Sequence, residues 1–269
     1  MKLQLVKPST GLEWVKLGVR TFWRQPIALA ALFFLCMAWM SLVSMVPIVG
    51  TVLALALLPT TSLVMMVGAA EAWSNRTPTP ALIWRILRGG RERLHALAVL
   101  GICYALGFGL LMFLSSLVDG GGFARAYLGL TPLTPELAQD GGFQAAMWTA
   151  TLLYLPLSFL FWHAPALVHW HGTPALKAMF FSIIACSRNI GAFFMYGLGW
   201  LAMFLVVGAL LTLATGLLSL VVGHIAMALM VVAALALAAM LFTSTVFTFR
   251  DCFAAPEISS PDRNSDSRA

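Results

Sequence analysis

The 269-residue chain is 61% hydrophobic, and only 10% of it is Asp, Glu, Lys or Arg. A soluble domain carries about 25% charged residues, so this chain cannot cover a globular surface with water-compatible side chains. Its formal charge of +6 therefore speaks of membrane topology rather than nucleic acid, and a cytosolic enzyme, a DNA-binding domain and a secreted disulfide scaffold are excluded.

No Asp, Glu, Lys or Arg occurs in residues 25–70, 94–118, 141–176 or 189–249. About 20 apolar residues cross a bilayer. The first block holds two spans, near 26–46 and 50–70, with Pro47 and Gly50 marking the turn and Pro59 inside the second. A third span, 95–118, ends at Asp119 and Gly120-Gly121-Gly122. The fourth runs from about 143 to 166, with Pro156 and Pro165 as candidate kinks. The last block holds two more, near 190–214 and 222–249, separated by Gly216 to Gly223. The predicted fold is all-α, a polytopic bundle of six transmembrane helices. Residues 1–253 form the integral membrane domain, and the polar residues 254–269 form a disordered tail. The first apolar stretch is too long for a signal-peptide core and no A-x-A site follows it, so it is read as a true span.

Each odd-numbered span is preceded by a shorter mixed segment. These run from Thr10 to Arg24, from Thr79 to Arg93 and from Thr173 to Arg188. Thr-Pro-Ala-Leu opens the second and third, which predicts a helix with Thr as N-cap and Pro at its first position. Thr10 and Glu13 have capping-box spacing. Lys16, Arg20 and Arg24 form one stripe of the first segment, opposite Leu12, Val15, Val19 and Phe22. Arg85 and Arg88 lie opposite Ile83, Ile86 and Leu87, with Arg91 and Arg93 beyond. Basic amphipathic helices of this kind lie in the membrane interface. The expected partners are therefore the bilayer and its anionic phospholipid headgroups, contacted by Lys16, Arg20, Arg24, Arg85, Arg88, Arg91 and Arg93. The recurring segment suggests three copies of interfacial helix plus transmembrane hairpin.

Candidate chemistry is sparse. Cys36, Cys103, Cys186 and Cys252 show no disulfide or zinc spacing. The densest polar cluster is Trp162-His163 to His169-Trp170-His171, and three imidazoles within nine residues are the candidate metal or haem ligands. On one helix His169 and His171 point to different faces, and no carboxylate lies nearby to orient them. Interface anchoring is the favoured role, with no metal and no cofactor expected. No HExxH, GxSxG or Walker spacing is present, so no enzyme activity is expected. No ionisable residue falls at mid-membrane, which argues against a proton-coupled pump. Small residues at Gly208, Thr212 and Gly216, and at Gly101, Gly107 and Gly109, suit close helix packing.

Gly18 to Pro26 (GVRTFWRQP), Ala164 to Val168 (APALV) and the stretch from Ala175-Leu176-Lys177 to Arg188-Asn189 together resemble a family of six-helix inner-membrane proteins of Gram-negative bacteria, known only as a domain of unknown function. The likeness covers residues 10–250. A more distant one is to the membrane domain preceding some glycerophosphodiesterases, whose catalytic domain is absent here. The family brings no catalytic or binding residue to transfer. The leading expectation is a non-enzymatic scaffold, lipid-interacting or assembly factor. The alternative is a permease or channel for an uncharged or lipidic solute, which a mid-membrane cavity lined by Ser, Thr and broken helices would favour.

Orientation follows from the loops. The segments before span one, between two and three, between four and five, and after six hold 15 of the 16 basic residues. The opposite side holds only Arg125. The positive-inside rule places both termini in the cytoplasm and residues 119–142 outside. A fluorescent reporter fused to the C-terminus will be active, and alkaline phosphatase inserted in 119–142 will be active. A C-terminal fusion active only as phosphatase defeats this topology.

Overall fold

The computed structural model describes residues 3–47 and 49–253, the side chains of 217–227 and 229 excepted. Every regular element among them is helical: α1 (Thr10–Arg24), α2 (Pro26–Ser44), α3 (Gly50–Trp73), α4 (Ala81–Leu87), α5 (Arg91–Asp119), α6 (Gly122–Tyr127), α7 (Pro135–Gln139), α8 (Gly141–Trp162), α9 (Ala164–His171), α10 (Ala175–Arg188) and α11 (Ile190–Cys252). Six stretches are long and apolar enough to cross a membrane: Pro26–Ser44, Gly50–Trp73, Arg91–Asp119, Gly141–His171, Ile190–Gly216 and Met230–Cys252. Helices are what a bilayer permits, because each backbone amide and carbonyl must find its partner within the span.

The last two spans belong to one helical run, α11. The Tyr196 hydroxyl nevertheless lies 2.6 Å from that of Ser244, 48 residues on. A straight helix would hold them about 72 Å apart. Thr215 likewise reaches the Met230 sulfur at 3.7 Å. The chain therefore doubles back, and the two arms of α11 form the third transmembrane hairpin after α2–α3 and α5–α8.

The mixed segments do form helices, with corrected starts. Thr10 is the first residue of α1, and its N-cap Ser9 makes no side-chain cap bond, so the capping box with Glu13 does not form. Pro80 and Pro174 occupy the N-cap positions of α4 and α10, one residue later than the Thr expected there. α4 is short because Gly89-Gly90 ends it; Gly90 sits at φ 103°, where a side chain would be strained. In the fourth span the break falls at His163, between α8 and α9, and Pro165 fills the first turn of α9. Gly120 and Gly121 are left-handed, and Asp119 accepts from the amides of Gly121 (2.8 Å) and Phe123 (2.6 Å). That turn folds α6, absent from the expected elements, back against α5 and α8.

The three short helices pack in a cyclic pattern. α4 leans on α3, α10 leans on α8 and the α8–α9 break, and α1 leans on α11. Each rests on the hairpin before its own, with α1 closing the ring on the last. This is the arrangement a threefold repeat generates. It also corrects the expectation for α1, whose apolar face meets protein rather than lipid. Gly11, Trp14, Val15, Gly18 and Phe22 are buried, whereas Leu12 is exposed and Val19 half-buried. Trp14 packs on Phe193 and Tyr196 with ring centroids 5.4 and 6.0 Å away, and its indole donates to Asp251 at 2.8 Å. Asn189 ties the start of the chain to this seat, accepting from the Val6 amide (2.9 Å) and donating to the Gln4 carbonyl (3.1 Å).

The glycines separate into two groups. A Cβ on Gly101 would stand 2.2 Å from the Ala56 carbonyl oxygen, and one on Gly107 would stand 2.6 Å from Leu157. Both are genuine close approaches of helices. Among the described residues nothing stands within 4 Å of a Cβ placed on Gly109 or Gly208, and Thr212 is exposed.

A Cβ on Gly18 would stand 2.2 Å from the Ser244 Cβ and 2.8 Å from its Cα. Gly18→Val will therefore push α1 off α11 and cost about 2 kcal/mol or more of stability. Gly208→Val, with nothing to strike, serves as the control. Thermal unfolding of the two variants in detergent checks the difference.

Candidate functional site

The histidines do not assemble. His163 is fully buried at the α8–α9 break, its ring among Phe193, Phe249 and Phe253 at 5.5 to 5.9 Å. Its amide donates to the Ser182 hydroxyl, which donates to the Phe159 carbonyl, stitching α10 to the break. His169 packs edge-on against Trp170, and His171 lies 6.0 Å from Phe249. Among the described residues no three of His, Cys, Asp and Glu converge as a metal site. The histidines serve the packing of α9.

The basic residues share one end of the bundle but not one environment. Lys16, Arg20, Arg85, Arg88, Arg91 and Arg93 are exposed. Arg24 is spoken for: its guanidinium sits 4.2 Å over the Trp73 ring and donates to the Trp73 carbonyl at 2.8 Å. Arg85 pairs with Glu71, a carboxylate that is only 7% exposed at the end of α3. Arg91, Arg93 and His95, together with Glu92, line a cavity of about 980 Å³ between the start of α5 and the α9–α10 turn.

A separate opening lies between α8 and α11. Near the basic end Trp162 joins them, donating to Thr248 at 3.0 Å and meeting Phe193 edge-on at 5.7 Å. Beside it opens a cavity of about 660 Å³, walled by Leu155, Ser158 and Trp162 on one side and Phe193, Gly197 and Phe204 on the other. Several wall residues, among them Phe194 (64%) and Leu201 (53%), are exposed on the lipid-facing surface, so the mouth is lateral. A second cavity of about 400 Å³ shares Leu155, Ser158, Trp162 and Leu241 with the first and reaches Pro59 and Ser62 of α3 and Tyr104 of α5. A third, of about 300 Å³, shares Leu58, Tyr104 and Tyr154 with the second and ends under Phe123 and Tyr127 of α6. The three adjoin one another in a series from the α8–α11 seam to α6, and are termed the cleft.

Local sequence explains the opening. Pro59 and Pro156 have no amide hydrogen, so the carbonyls four residues earlier, on Leu55 and Leu152, lose their helical donors. Pro59 and Leu55 both line the cleft. Bulky Phe, Trp and Tyr side chains hold the α8 and α11 backbones apart where small residues would let them close. The expected site residues contained none of these positions. One usable signal was the depth of Tyr104 and Tyr154, each the fourteenth residue of its helix.

A probable inner membrane protein of Burkholderia thailandensis is 34% identical to this chain over 264 residues, covering 97% of each. No family profile and no solved structure matches the chain. Identity at that level along nearly the whole length, on six membrane-length helices, carries one conclusion: the chain belongs to the family of that inner-membrane protein.

Proposed function

We propose that this protein is a non-enzymatic lipid-handling membrane protein that admits an amphiphile sideways from the bilayer into the cleft between α8 and α11. The observation that carries this reading is the cleft itself, apolar at its mouth and opening on the lipid-facing surface. Such a cavity beside proline-broken helices is the feature that separates a permease for a lipidic solute from a scaffold. No comparable feature supports the assembly-factor reading. An apolar chain entering the mouth exchanges one hydrocarbon environment for another. Shape and the few polar groups deeper in must therefore supply selectivity, as they do in other largely apolar pockets.

The exposed cations support a second, companion reading. Lys16, Arg20, Arg88, Arg91 and Arg93 hold anionic headgroups on the cytoplasmic leaflet, whereas Arg24 and Arg85 serve the fold. Each exposed charge contributes about 1 kcal/mol at an anionic surface, less after screening by salt. Their role is to position a protein that six spans already anchor.

A diazirine-bearing alkane added to the protein in nanodiscs will label residues 155–162 and 193–204 above the lipid-facing surface of α2. Gly197→Trp, which fills the mouth from a position with open space around it, will suppress that labelling. Equal labelling of α2 and the cleft, unchanged by Gly197→Trp, overturns the reading.

Replacing Arg20, Arg91 and Arg93 together with Gln will lower the enrichment of anionic lipid that co-purifies, at unchanged thermal stability. Arg24→Gln will do the reverse, lowering stability by about 1–2 kcal/mol as its bond and ring contact to Trp73 are lost.

A further inference from the structure

Three of the four tyrosines in the chain line the far end of the cleft, Tyr104 buried and Tyr154 and Tyr127 exposed beside it. Tyr104 and Tyr154 line both inner cavities, and Tyr127 lines the deeper one. Their phenols are electrostatic neighbours, Tyr104 interacting with both of the others. The Tyr104 and Tyr154 hydroxyls are hydrogen-bonding neighbours, and ring contacts set two of the tyrosines. Tyr104 meets Phe161 edge-on at 5.1 Å, and Tyr127 packs on Phe108 at 5.7 Å.

The neighbouring hydroxyls point elsewhere. Thr151 donates to the Met147 carbonyl at 2.8 Å, Ser158 to Leu155 at 2.7 Å and Thr245 to Phe242 at 2.7 Å, each within its own helix. That leaves the phenols, with Ser62, as the donors of this region. Leu55, whose carbonyl loses its helical donor to Pro59, lines the same cavity. The inner cleft thus offers donors on an otherwise apolar surface.

The lining carries no charge. Among the described residues no Asp, Glu, Lys, Arg or His borders any of the three cavities. Tyr104 and Tyr154 also sit about halfway along their spans. A phosphate brought there would lose its hydration with no cation to meet it, a far larger penalty than burying a hydroxyl or ester that is hydrogen-bonded. Most of the cations of the bundle stand at its basic end, where a charged head would remain, while Arg125 is exposed on α6 at the opposite end.

Resting on the lateral-cleft reading, we infer that Tyr104, Tyr154 and Tyr127 form the binding site for the uncharged, hydrogen-bonding head of an amphiphile. The ligand class is a hydroxyl- or ester-headed lipid of the diacylglycerol kind. Its chains lie along the mouth between α8 and α11, and its head reaches the phenols at mid-membrane. A phospholipid with the same chains is refused because its phosphate cannot follow.

The test uses the full-length protein in nanodiscs and three diazirine probes: diacylglycerol, phosphatidic acid with identical chains, and a headless alkane. The two lipids differ only in the phosphate. Diacylglycerol will label the inner cleft, around residues 104 and 154, at least about fivefold above phosphatidic acid. Tyr104→Phe with Tyr154→Phe removes two hydroxyls and keeps both rings. It will reduce inner labelling by diacylglycerol about fivefold, the effect of losing one to two net hydrogen bonds. Alkane labelling of residues 155–162 and 193–204 and the unfolding temperature will stay unchanged. Equal inner labelling by phosphatidic acid, or diacylglycerol labelling indifferent to the double variant, overturns the inference while the cleft reading stands. Failure of the alkane to label the mouth overturns both.

Discussion

The fold depends on a rule the bilayer imposes on the backbone. An amide or carbonyl without a partner inside hydrocarbon costs several kcal/mol, so each span must be an unbroken helix or be excused by a neighbour. The two internal prolines and the break at His163 are the excused places; Pro59 and His163 are buried, whereas Pro156 is exposed. Pro59 sits in the cleft wall. Trp162, the residue before the break, bridges α8 to α11. The irregularities of the helices and the irregularity of the packing are thus one feature. Where the ladder is interrupted, the side chains that would fill the gap are large and rigid, and a cavity remains.

A second constraint acts at the basic end. α1 must lie against α11 closely enough for Gly11 and Gly18 to meet backbone, since their missing side chains leave no spacer. Trp14 then fills the hollow above Phe193 and Tyr196, and Asp251 receives its indole proton. Asn189 joins the N-terminal strand of residues, the end of α10 and Cys252 of α11 in one set of bonds. These contacts hold the two ends of the described chain together, and Leu3 pairs with Phe253 across the join. The hairpins are thereby closed into a ring, which α3 braces from within through α2, α5 and α11. α8 and α11 are the neighbours left without such bracing along their middle, and the cleft opens there.

The six spans were legible because charge is excluded from hydrocarbon over a length that geometry sets, and 168 residues in four charge-free blocks admit few divisions. The doubling back of α11 was legible for the same reason: its length exceeds one crossing. Helix starts were less so, because a Thr-Pro pair is compatible with Pro as cap or as first residue, and carbonyls of residues 79 and 80 accept the first amides of α4 in place of the Thr side chain. The destination of the amphipathic faces was not legible. Periodicity reveals that α1 has an apolar stripe, but a stripe of Gly, Trp, Val and Phe fits protein and lipid alike. Two glycines on it, seven residues apart, were the sign that a backbone would come near. Arg24 and Arg85 looked like headgroup contacts for a related reason. A sequence shows their charge and face, not the buried Glu71 or the Trp73 ring that occupies them.

The separation of charge from the cleft bears on how any passage would be driven. Driving a solute against its gradient with a coupled ion requires ionisable groups along the ion's path. Here the groups that meet that description, Glu71, Arg76 and Arg85 with His169, line a small cavity of about 210 Å³ between α3, α4 and α9. The cleft reaches α3 higher up, at Leu58, Pro59 and Ser62, and shares no lining residue with that cavity. With no titratable carboxylate or cation bordering the cleft, protonation has no direct purchase on its occupant. Occupancy must then follow the concentration of the amphiphile in the bilayer, and selectivity must come from what the inner wall accepts. On the proposed reading a neutral head would meet phenols there, while a charged head would find most of its cationic partners at the basic rim.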